Sequence, residues 1–456
     1  MKPKLNRRAF LAAGTAAGVW AQGRRPNIII ICTDDHGSGD LGCYGSAEIK
    51  TPHLDSIARD GVRFDQWYAN AAMCAPSRAG VLTGRHPIRA GVPSNGPQLP
   101  SNQKTLAALL KPNGYRTAAI GKWHLGTAQS NGPLDHGFDT FYGFHAGCVD
   151  FYSHRYYWGE PRVPNFHDLY RDRREIFEDG AYLTERITAE ARQFIRDSGK
   201  RPFFLYLAYN APHYPMHAPP KYVERFQHLP LERRIYAAMI AAVDDGVGEI
   251  RAQLWEMGLT NDTVLVFIGD NGATTEPRAG LEGRPATAGH NRGFRGFKFS
   301  LFDGGTHVPA LMAWPGRIPA GRVTSQIGAH YDLAPTLLAA AGVPEPQAGF
   351  FDGVNLLPSV MKGDVVNRPA LHWHNAPQLA IRKGQWKLTL NGYEASGTPE
   401  SRKPITGEDA VFLANLEQDP GEKKNLRREF PAVAEELEKE LRAWLDAVQK
   451  SAPKTD

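Results

Sequence analysis

Four short apolar runs along the chain end abruptly in polar residues. They cover residues 27–32, 116–120, 203–208 and 263–268. None alternates apolar with polar positions, which is typical of strands buried on both faces of a parallel sheet. Helical patterns separate the runs, and the one over residues 235–247 places apolar side chains three and four positions apart. This alternation predicts an α/β fold with a doubly wound, mostly parallel sheet.

The last part of the chain has a different pattern. Residues 380–388 predict a β-hairpin, and residues 431–448 predict a helix with one apolar face. We therefore expect a main α/β domain over residues 26–364. A small α+β subdomain with an antiparallel sheet is expected over residues 365–450.

Residues 1–21 have the pattern of an export signal. Arg7-Arg8 and Phe-Leu follow a basic start, and an apolar stretch leads to a small-x-small site at residues 19–21. The apolar stretch is shorter than the ~20 residues of a membrane-spanning helix. We predict a twin-arginine signal, the twin-arginine export machinery as a partner, and a periplasmic or secreted location. Removal of the signal and its retention as an anchor both stay open.

Composition excludes a disordered or fibrous chain, since 42% of the 456 residues are hydrophobic and 22% are charged. The formal net charge is +5, but four basic residues lie in the predicted signal, which leaves about +1. No Lys/Arg run suggests a nucleic-acid partner. Four cysteines without a CxxC pair argue against a disulfide framework and against structural zinc.

Polar side chains that could do chemistry follow each of the four runs. They are Asp34, Asp35, Lys122, His124, His213, Asp270 and Asn271. Any one of them could sit in a capped loop, but in open α/β sheets the ligand site lies at the carboxyl ends of the strands. The Asp and Asn side chains supply hard oxygen ligands, which suit Ca²⁺ or Mg²⁺. His36 keeps a zinc site open as an alternative.

Cys74 begins the segment Cys-Ala-Pro-Ser-Arg-Ala-Gly-Val-Leu-Thr-Gly-Arg. Pro76 suits the first turn of a helix, and this would leave Cys74 at a helix N-terminus, where unpaired amides attract negative charge. A buried cysteine that merely begins a helix is the plainer interpretation.

The pattern CxPSRxxxLTGR resembles the signature of type I sulfatases, which belong to the alkaline-phosphatase superfamily. Further landmarks of that family occur in the family's order, and the resemblance covers about residues 26–450. They are residues 51–55, 121–126, 136–139, 269–272, 295–298, 304–309 and 419–422. Two departures are His53, where Asn is usual, and His307, where Arg is usual. Neither position is assigned to catalysis.

The resemblance implies a modified residue and a bound metal ion. A separate maturation enzyme would oxidise Cys74 to Cα-formylglycine. One Ca²⁺ ion would be bound by Asp34, Asp35, Asp270 and Asn271, together with an oxygen of modified Cys74 and a sulfate oxygen.

The resemblance also implies catalytic roles. Hydrated formylglycine carries two hydroxyls, one to attack sulfur and one to expel sulfate. Arg78 and the metal would activate the attacking hydroxyl, while Lys122 and Lys298 would neutralise the sulfate oxygens. His213 or Lys298 would protonate the departing alcohol, and His124 would take the proton of the second hydroxyl.

The implied substrate is a sulfated carbohydrate. Residues 136–143 followed by 150–154 are similar to the N-acetylgalactosamine-4-sulfatase branch, which implies a 4-sulfated galactose or galactosamine unit. We expect His154 and Arg155, in the aromatic segment 143–158, to bind the sugar beside Lys122, His213 and Lys298. An aromatic core hairpin is an equally good interpretation of that segment.

Two other functions stay open. One is a phosphodiesterase or phosphonate monoester hydrolase of the same superfamily, and the other is a glycan-binding protein whose Cys74 is never modified. The joint presence of Lys122, His124, His213 and Lys298 favours sulfate.

Overall fold

The structure is a computed structural model that describes residues 24–157 and 165–453. The predicted signal at residues 1–21 lies outside the described residues. Within the two described ranges, no helix has both the length and the apolar character needed to cross a membrane.

The strands of the described chain form one large sheet and two small ones. They are β1 (Asn27–Thr33), β2 (Val62–Phe64), β3 (Trp67–Tyr68), β4 (Arg116–Lys122), β5 (Thr140–Phe144), β6 (Tyr170–Arg171), β7 (Arg174–Glu175), β8 (Phe203–Ala208), β9 (Thr263–Gly269), β10 (Ala310–Ala313), β11 (Arg322–Thr324), β12 (Gly328–Ala329), β13 (Leu371–Asn375), β14 (Gln378–Lys383), β15 (Trp386–Leu390) and β16 (Val411–Asn415).

The large sheet has ten strands in the order β11-β2-β10-β9-β1-β8-β4-β5-β6-β7. Its centre, β9-β1-β8-β4-β5, is parallel, and antiparallel pairs occur only toward the two edges. The predicted apolar runs are β1, β4, β8 and β9, which are neighbours in the centre. The α/β fold with a mostly parallel sheet is therefore confirmed.

Helices cover both faces of this sheet. The α-helices of the described chain are α1 (Pro52–Arg59), α2 (Cys74–Thr83), α3 (Pro87–Ala90), α4 (Leu106–Leu110), α5 (Leu183–Ser198), α6 (Pro220–Val223), α7 (Leu231–Glu256), α8 (Asp303–Thr306), α9 (Leu333–Ala340), α10 (Leu357–Lys362) and α11 (Pro431–Lys450).

Alternate side chains of strand β1 pack on the two opposite faces of the sheet. Ile28 and Ile30 pack with α2, α4 and α9. Ile29 and Ile31 pack with α1, α5 and α7 on the other face. Because a strand alternates its side chains, an uninterrupted apolar run is what two covered faces require.

The C-terminal part forms the predicted antiparallel sheet, in the order β13-β14-β15-β16. Helix α11 packs Leu437 and Leu441 against this sheet. The predicted hairpin corresponds to β14 and β15, whose turn lies between Lys383 and Trp386. The exact boundary near residue 365 stays a prediction.

Candidate active site

The ends of β1 and β9 place four of the predicted metal ligands together. Asp34 and Asp35 directly follow β1, and Asp270 and Asn271 directly follow β9. The backbone N–H of Asp35 donates to Asp270 Oδ1 at 3.0 Å, and Asn271 Nδ2 donates to Asp35 Oδ1 at 2.7 Å. All four side chains are buried. Parallel pairing of the two strands therefore creates a cluster of oxygen atoms.

Helix α2 begins at Cys74, as the position of Pro76 predicts. The thiol is 1% exposed, and its Sγ lies 3.3 Å from Asp34 Oδ1. Burial and the negative charge of Asp34 raise the pKa of Cys74 well above its usual value. An unmodified Cys74 is therefore a protonated thiol and a poor nucleophile.

Three cations pair with the three carboxylates. Arg78 Nη2 lies 2.7 Å from Asp270 Oδ2, and Lys122 Nζ lies 2.5 Å from Asp34 Oδ2. Lys298 Nζ lies 2.9 Å from Asp35 Oδ2. All three cations are buried, so their charges act with little screening by solvent.

Lys122 follows a glycine whose backbone conformation leaves no space for a side chain. Gly121 has a φ of +106°, and a Cβ at this position would lie 1.9 Å from the carbonyl oxygen of Ala208. Only glycine fits there. The last residue of β4, Lys122, lies beside Asp34.

The cluster fits a hard divalent cation. Burial raises the pKa of Asp35 to about 7, and repulsion from Asp34 and Asp270 adds to this effect although the ammonium of Lys298 opposes it. The Oδ1 atom of Asn271 is buried and has no hydrogen-bond partner among the described residues. Carboxylate and amide oxygens are the ligands that Ca²⁺ prefers.

Few histidines lie among the side chains that could bind a metal ion here. Ligand atoms of Asp34, Asp35, Cys74 and His213 all lie within 4.8 Å of one another, so His213 is the cluster's one imidazole among the described residues. His36 instead places Nδ1 3.1 Å from Thr33 Oγ1. This donor set does not favour the dizinc alternative, which needs several histidines.

His213 is buried and His124 is half-buried, and both imidazoles are neutral. His213 Nδ1 lies 2.7 Å from the carbonyl oxygen of Tyr214, so Nδ1 carries the proton and Nε2 faces Lys298 Nζ at 3.3 Å. Burial and the charge of Lys298 lower the pKa of His213. Burial and the charge of Lys122 likewise lower the pKa of His124. Each imidazole therefore has a nitrogen lone pair that can accept a proton.

These groups open into a cavity of about 240 Å³. Its lining residues are Cys74, Asn95, Gly96, His124, Gly147, Cys148, Tyr156, His213, Tyr214, Glu276, Lys298 and Phe299. A larger cleft of about 580 Å³ lies beside α1 and α7 and contains none of the predicted catalytic residues. The smaller cavity holds the nucleophile candidate, and we take it as the active site.

The structure does not bring His154 and Arg155 to this cavity. His154 is fully buried, and its Nε2 lies 3.0 Å from the carbonyl oxygen of Ala181. The Arg155 side chain is exposed and donates to Asn165. A short antiparallel pairing of Arg155 with His167 fixes the direction of each side chain in this loop. Tyr156, the next residue, lines the cavity instead.

Several cavity residues were not predicted from the sequence. Asn95 accepts a hydrogen bond from the Ala75 N–H at 3.0 Å, beside the nucleophile candidate. It lies in a Gly/Pro-rich loop that gave no signal of function. Glu276 and Phe299 lie close to predicted residues in sequence, since Phe299 follows Lys298 and Glu276 follows the Asp270-Asn271 pair. That proximity was the available signal.

A parallel sheet with this acidic cluster, a cysteine at a helix N-terminus and buried cations at its strand ends defines an ester hydrolase of the alkaline-phosphatase superfamily. The sulfatase family model matches residues 26–343. A second model, N-sulphoglucosamine sulphohydrolase, C-terminal, matches residues 295–451. The chain belongs to the sulfatase family and is a type I sulfatase, a sulfuric ester hydrolase.

Named relatives agree with this assignment over nearly the whole chain. The chain is 36% identical to the N-acetylgalactosamine-6-sulfatase of Canis lupus familiaris, over 96% of this chain and 87% of that protein. It is 32% identical to the arylsulfatase A of Homo sapiens, over 97% and 92%. The solved structure of Ps i-CgsB in complex with k-i-k-neocarrahexaose has a TM-score of 0.81 and 31% identity, covering 92% of this chain and 93% of that one.

Proposed function

We propose that this sulfatase removes sulfate from a saccharide with galactose or N-acetylgalactosamine units. The observation that carries the proposal is the buried Cys74, at a helix N-terminus, in one cavity with His124, His213 and Lys298. The similarity to an N-acetylgalactosamine-6-sulfatase and to a protein solved with a neocarrahexaose supports a sugar substrate. Tyr156 in the cavity wall offers an aromatic ring against which a sugar can pack.

The nucleophile proposed here is Cα-formylglycine, made from Cys74 by a maturation enzyme. Its hydrate supplies two hydroxyls on one carbon, so that one can attack sulfur and the other can drive release of sulfate. The raised pKa of the thiol supports the need for this conversion. A plain cysteine in this position would be neither ionised nor able to release its product by the same route.

One Ca²⁺ ion is the proposed metal, held by Asp34, Asp35, Asp270 and Asn271 with residue 74. When bound, the ion would favour ionisation of the attacking hydroxyl and withdraw charge from the sulfate. The free Oδ1 of Asn271 and the carboxylate cluster support this assignment.

The cations of the chain hold the sulfate and orient the carboxylates. Lys122 and Lys298 offer ammonium groups to the sulfate oxygens, whose negative charge spreads as the S–O bond breaks. Arg78 binds Asp270 Oδ2 through Nε at 3.1 Å and Nη2 at 2.7 Å. It therefore fixes Asp270 while adding positive charge behind the site.

The two imidazoles handle protons. His124 is neutral and accepts a proton from the hydroxyl on residue 74 that expels sulfate. His213 and Lys298 are 3.3 Å apart, and together they can deliver a proton to the departing alcohol oxygen. Lys298 donates in this pair, because the Nε2 lone pair of His213 faces it.

The sulfated position and the location are also proposals. Residues 136–143 and 150–154 favour a 4-sulfated unit, whereas the canine relative is named for a 6-sulfate. Export by the twin-arginine pathway to the periplasm or beyond is proposed from residues 1–21 alone. No nucleic-acid partner is proposed.

The test combines mass spectrometry with a substrate panel. The peptide that contains Cys74, taken from protein made with its maturation enzyme, should carry an aldehyde in place of the thiol. The same protein should hydrolyse 4- or 6-sulfated galactose-type disaccharides and an aryl sulfate. Faster hydrolysis of the matched phosphate ester or phosphonate would favour the phosphodiesterase alternative. An unmodified Cys74 with saccharide binding but no turnover would favour a binding protein.

A further inference from the structure

Glu276 places a carboxylate in the active-site cavity beyond the proposed metal ligands. The residue is 6% exposed and lines the cavity beside Lys298 and Tyr214. Its Oε2 lies 3.0 Å from Lys298 Nζ and accepts from Thr274 Oγ1 at 3.3 Å. The proposed mechanism gives this acid no part.

The carboxylate is ionised under all ordinary conditions. Burial favours its neutral form, but the ammonium of Lys298 outweighs burial and lowers the pKa of Glu276 to about 2. A substrate that enters the cavity therefore meets an ionised carboxylate immediately beside the lysine that binds its sulfate. This carboxylate is paired with the Lys298 ammonium at 3.0 Å and with the Arg278 guanidinium at 3.4 Å.

The second oxygen of Glu276 makes only long hydrogen bonds. Oε1 accepts from Tyr214 Oη at 3.3 Å and from Arg278 Nη2 at 3.4 Å. Both contacts are long, since an O–H···O bond is usually about 2.7–2.8 Å. A carboxylate oxygen accepts about two hydrogen bonds. A sugar hydroxyl could therefore displace one of these long contacts and make a shorter, stronger bond at this oxygen.

We propose that Glu276 selects a sugar ring with a free hydroxyl next to the sulfate ester and rejects a ring with a second sulfate there. This inference rests on the proposed saccharide sulfatase function. A hydroxyl donates to Glu276, whereas a second sulfate would bring like charges together. On a galactose-type ring, the preferred substrate then carries sulfate at position 4 or 6, but not at both.

The test compares Glu276→Gln with native enzyme on three substrates, each measured as kcat/KM. These are a monosulfated galactose-type disaccharide, its 4,6-disulfated counterpart and an aryl sulfate. Native enzyme should prefer the monosulfated disaccharide by on the order of 10-fold or more. Glutamine keeps the shape of the side chain but removes its charge. The variant should therefore reduce that preference by on the order of 10-fold, because the disulfated ring is no longer repelled.

The aryl sulfate distinguishes a loss of sugar selection from a general loss of activity caused by a change at Lys298. It has no neighbouring hydroxyl, so its rate reports how far the variant disturbs catalysis in general. Glu282→Gln is the matched control, because Glu282 lies in the same loop, is exposed and pairs with Arg284. This control should keep the native preference.

Three outcomes would overturn the inference. Equal losses on all three substrates in Glu276→Gln would mean that the residue only supports Lys298. Native enzyme that hydrolyses both disaccharides equally well would show that no selection exists. Failure of the proposed function would appear earlier, as native enzyme that cleaves the aryl sulfate but neither saccharide, and the inference would fall with it.

Discussion

Gly147 packs its backbone against the imidazole of His124. A Cβ at this position would lie 2.8 Å from His124 Nε2. The loop cannot retreat easily, because the buried Asp168 accepts from the backbone N–H of Ala146 at 2.7 Å and from that of His145 at 3.1 Å. The proposed base is thus held in place by a residue without a side chain.

Gly147→Ala should therefore lower kcat while leaving the fold intact. The added methyl would displace His124, and a shift of about 1 Å in a catalytic group costs on the order of 100-fold in rate. We expect a loss of about 10- to 100-fold in kcat on an aryl sulfate, with a nearly unchanged melting temperature. Gly132→Ala is the control, since its nearest neighbours are 3.3 Å away. Unchanged kcat in Gly147→Ala would show that Gly147 does not position His124.

The clustering of the proposed metal and nucleophile residues was accessible to prediction, whereas the position of the proposed sugar-binding residues was not. Asp34 and Asp270 each follow an apolar run, and the ends of parallel strands must meet. Glu276 reaches the cavity through a loop whose path depends on contacts with Lys298 and Tyr214, which are remote in sequence. His154 lies in an aromatic segment, but its ring turns inward, because the local pairing of Arg155 with His167 decides side-chain direction.

At the scale of elements, β15 connects the C-terminal sheet to the main domain through one buried lysine. Lys387 Nζ lies 2.6 Å from Asp303 and 3.1 Å from Glu422. Asp303 begins α8, a few residues after Lys298. The Lys387 ammonium holds the pKa of Asp303 well below its usual value, although burial opposes this. The segment that carries Lys298 thus rests on the C-terminal sheet.

Lys387→Met should destabilise the protein strongly. The substitution leaves two buried carboxylates without their cation, and breaking a buried ion pair in this way costs about 3–5 kcal/mol. Urea unfolding would measure the loss. Lys383→Met is the matched control in the same hairpin, because Lys383 is exposed and pairs with Glu436 and Glu440. Its unfolding midpoint should stay close to that of the native protein, and equal midpoints for both variants would contradict the expected contribution of Lys387.

A histidine in β13 should make this subdomain sensitive to acid. The ring of His372 stacks on Trp444 of α11, with ring centroids 4.5 Å apart. Burial lowers the pKa of His372 to about 4, from an ordinary value of 6.5. Below pH 6.5 the unfolded chain takes up a proton that the folded protein refuses. Stability is therefore lost as the pH falls from 6.5 toward 4.

His372→Phe should retain the stacked ring without this penalty. Between pH 7.5 and pH 5, the native protein should lose about 1–2 kcal/mol more unfolding free energy than the variant. Urea titrations at the two pH values measure the difference. His228→Phe, at an exposed position, should follow the native protein. Parallel pH curves for the native protein and His372→Phe would show that His372 does not titrate on unfolding.

At the scale of the whole molecule, charged residues that are distant in sequence contact one another at the centre of the fold. Asp34, Asp270 and Lys298 come from separate parts of the chain and meet where the sheet ends. A divalent cation that binds only the folded arrangement would stabilise the entire domain. At a free concentration 100 times its Kd, the gain is about 2.7 kcal/mol.

Ca²⁺ should accordingly raise the melting temperature of protein first treated with a chelator. Thermal unfolding with and without added Ca²⁺ measures this directly, and elemental analysis should find one calcium per chain. In Asp270→Ala the upward shift should be much smaller, because one carboxylate ligand is missing. Two zinc ions per active chain would contradict the calcium assignment.

The centre of the fold was more predictable than its edges. Strands β1, β4, β8 and β9 correspond to the four apolar runs of the sequence. Edge strands such as β6 and β7 have two residues each, too few to form a pattern. They exist because a neighbouring strand offers unpaired backbone groups, and this depends on the assembled sheet.

The burial of Cys74 also limits when the residue can be modified. A thiol that is 1% exposed and enclosed by α2 and the ends of β1 cannot enter the active site of another enzyme. Any protein that modifies it must therefore meet the chain while this segment is still open. Under the proposed conversion of Cys74, folding and maturation are competing events, and the faster one decides whether a given molecule becomes active. A slowly folding variant would then give a larger active fraction than a fast one, at equal amounts of soluble protein.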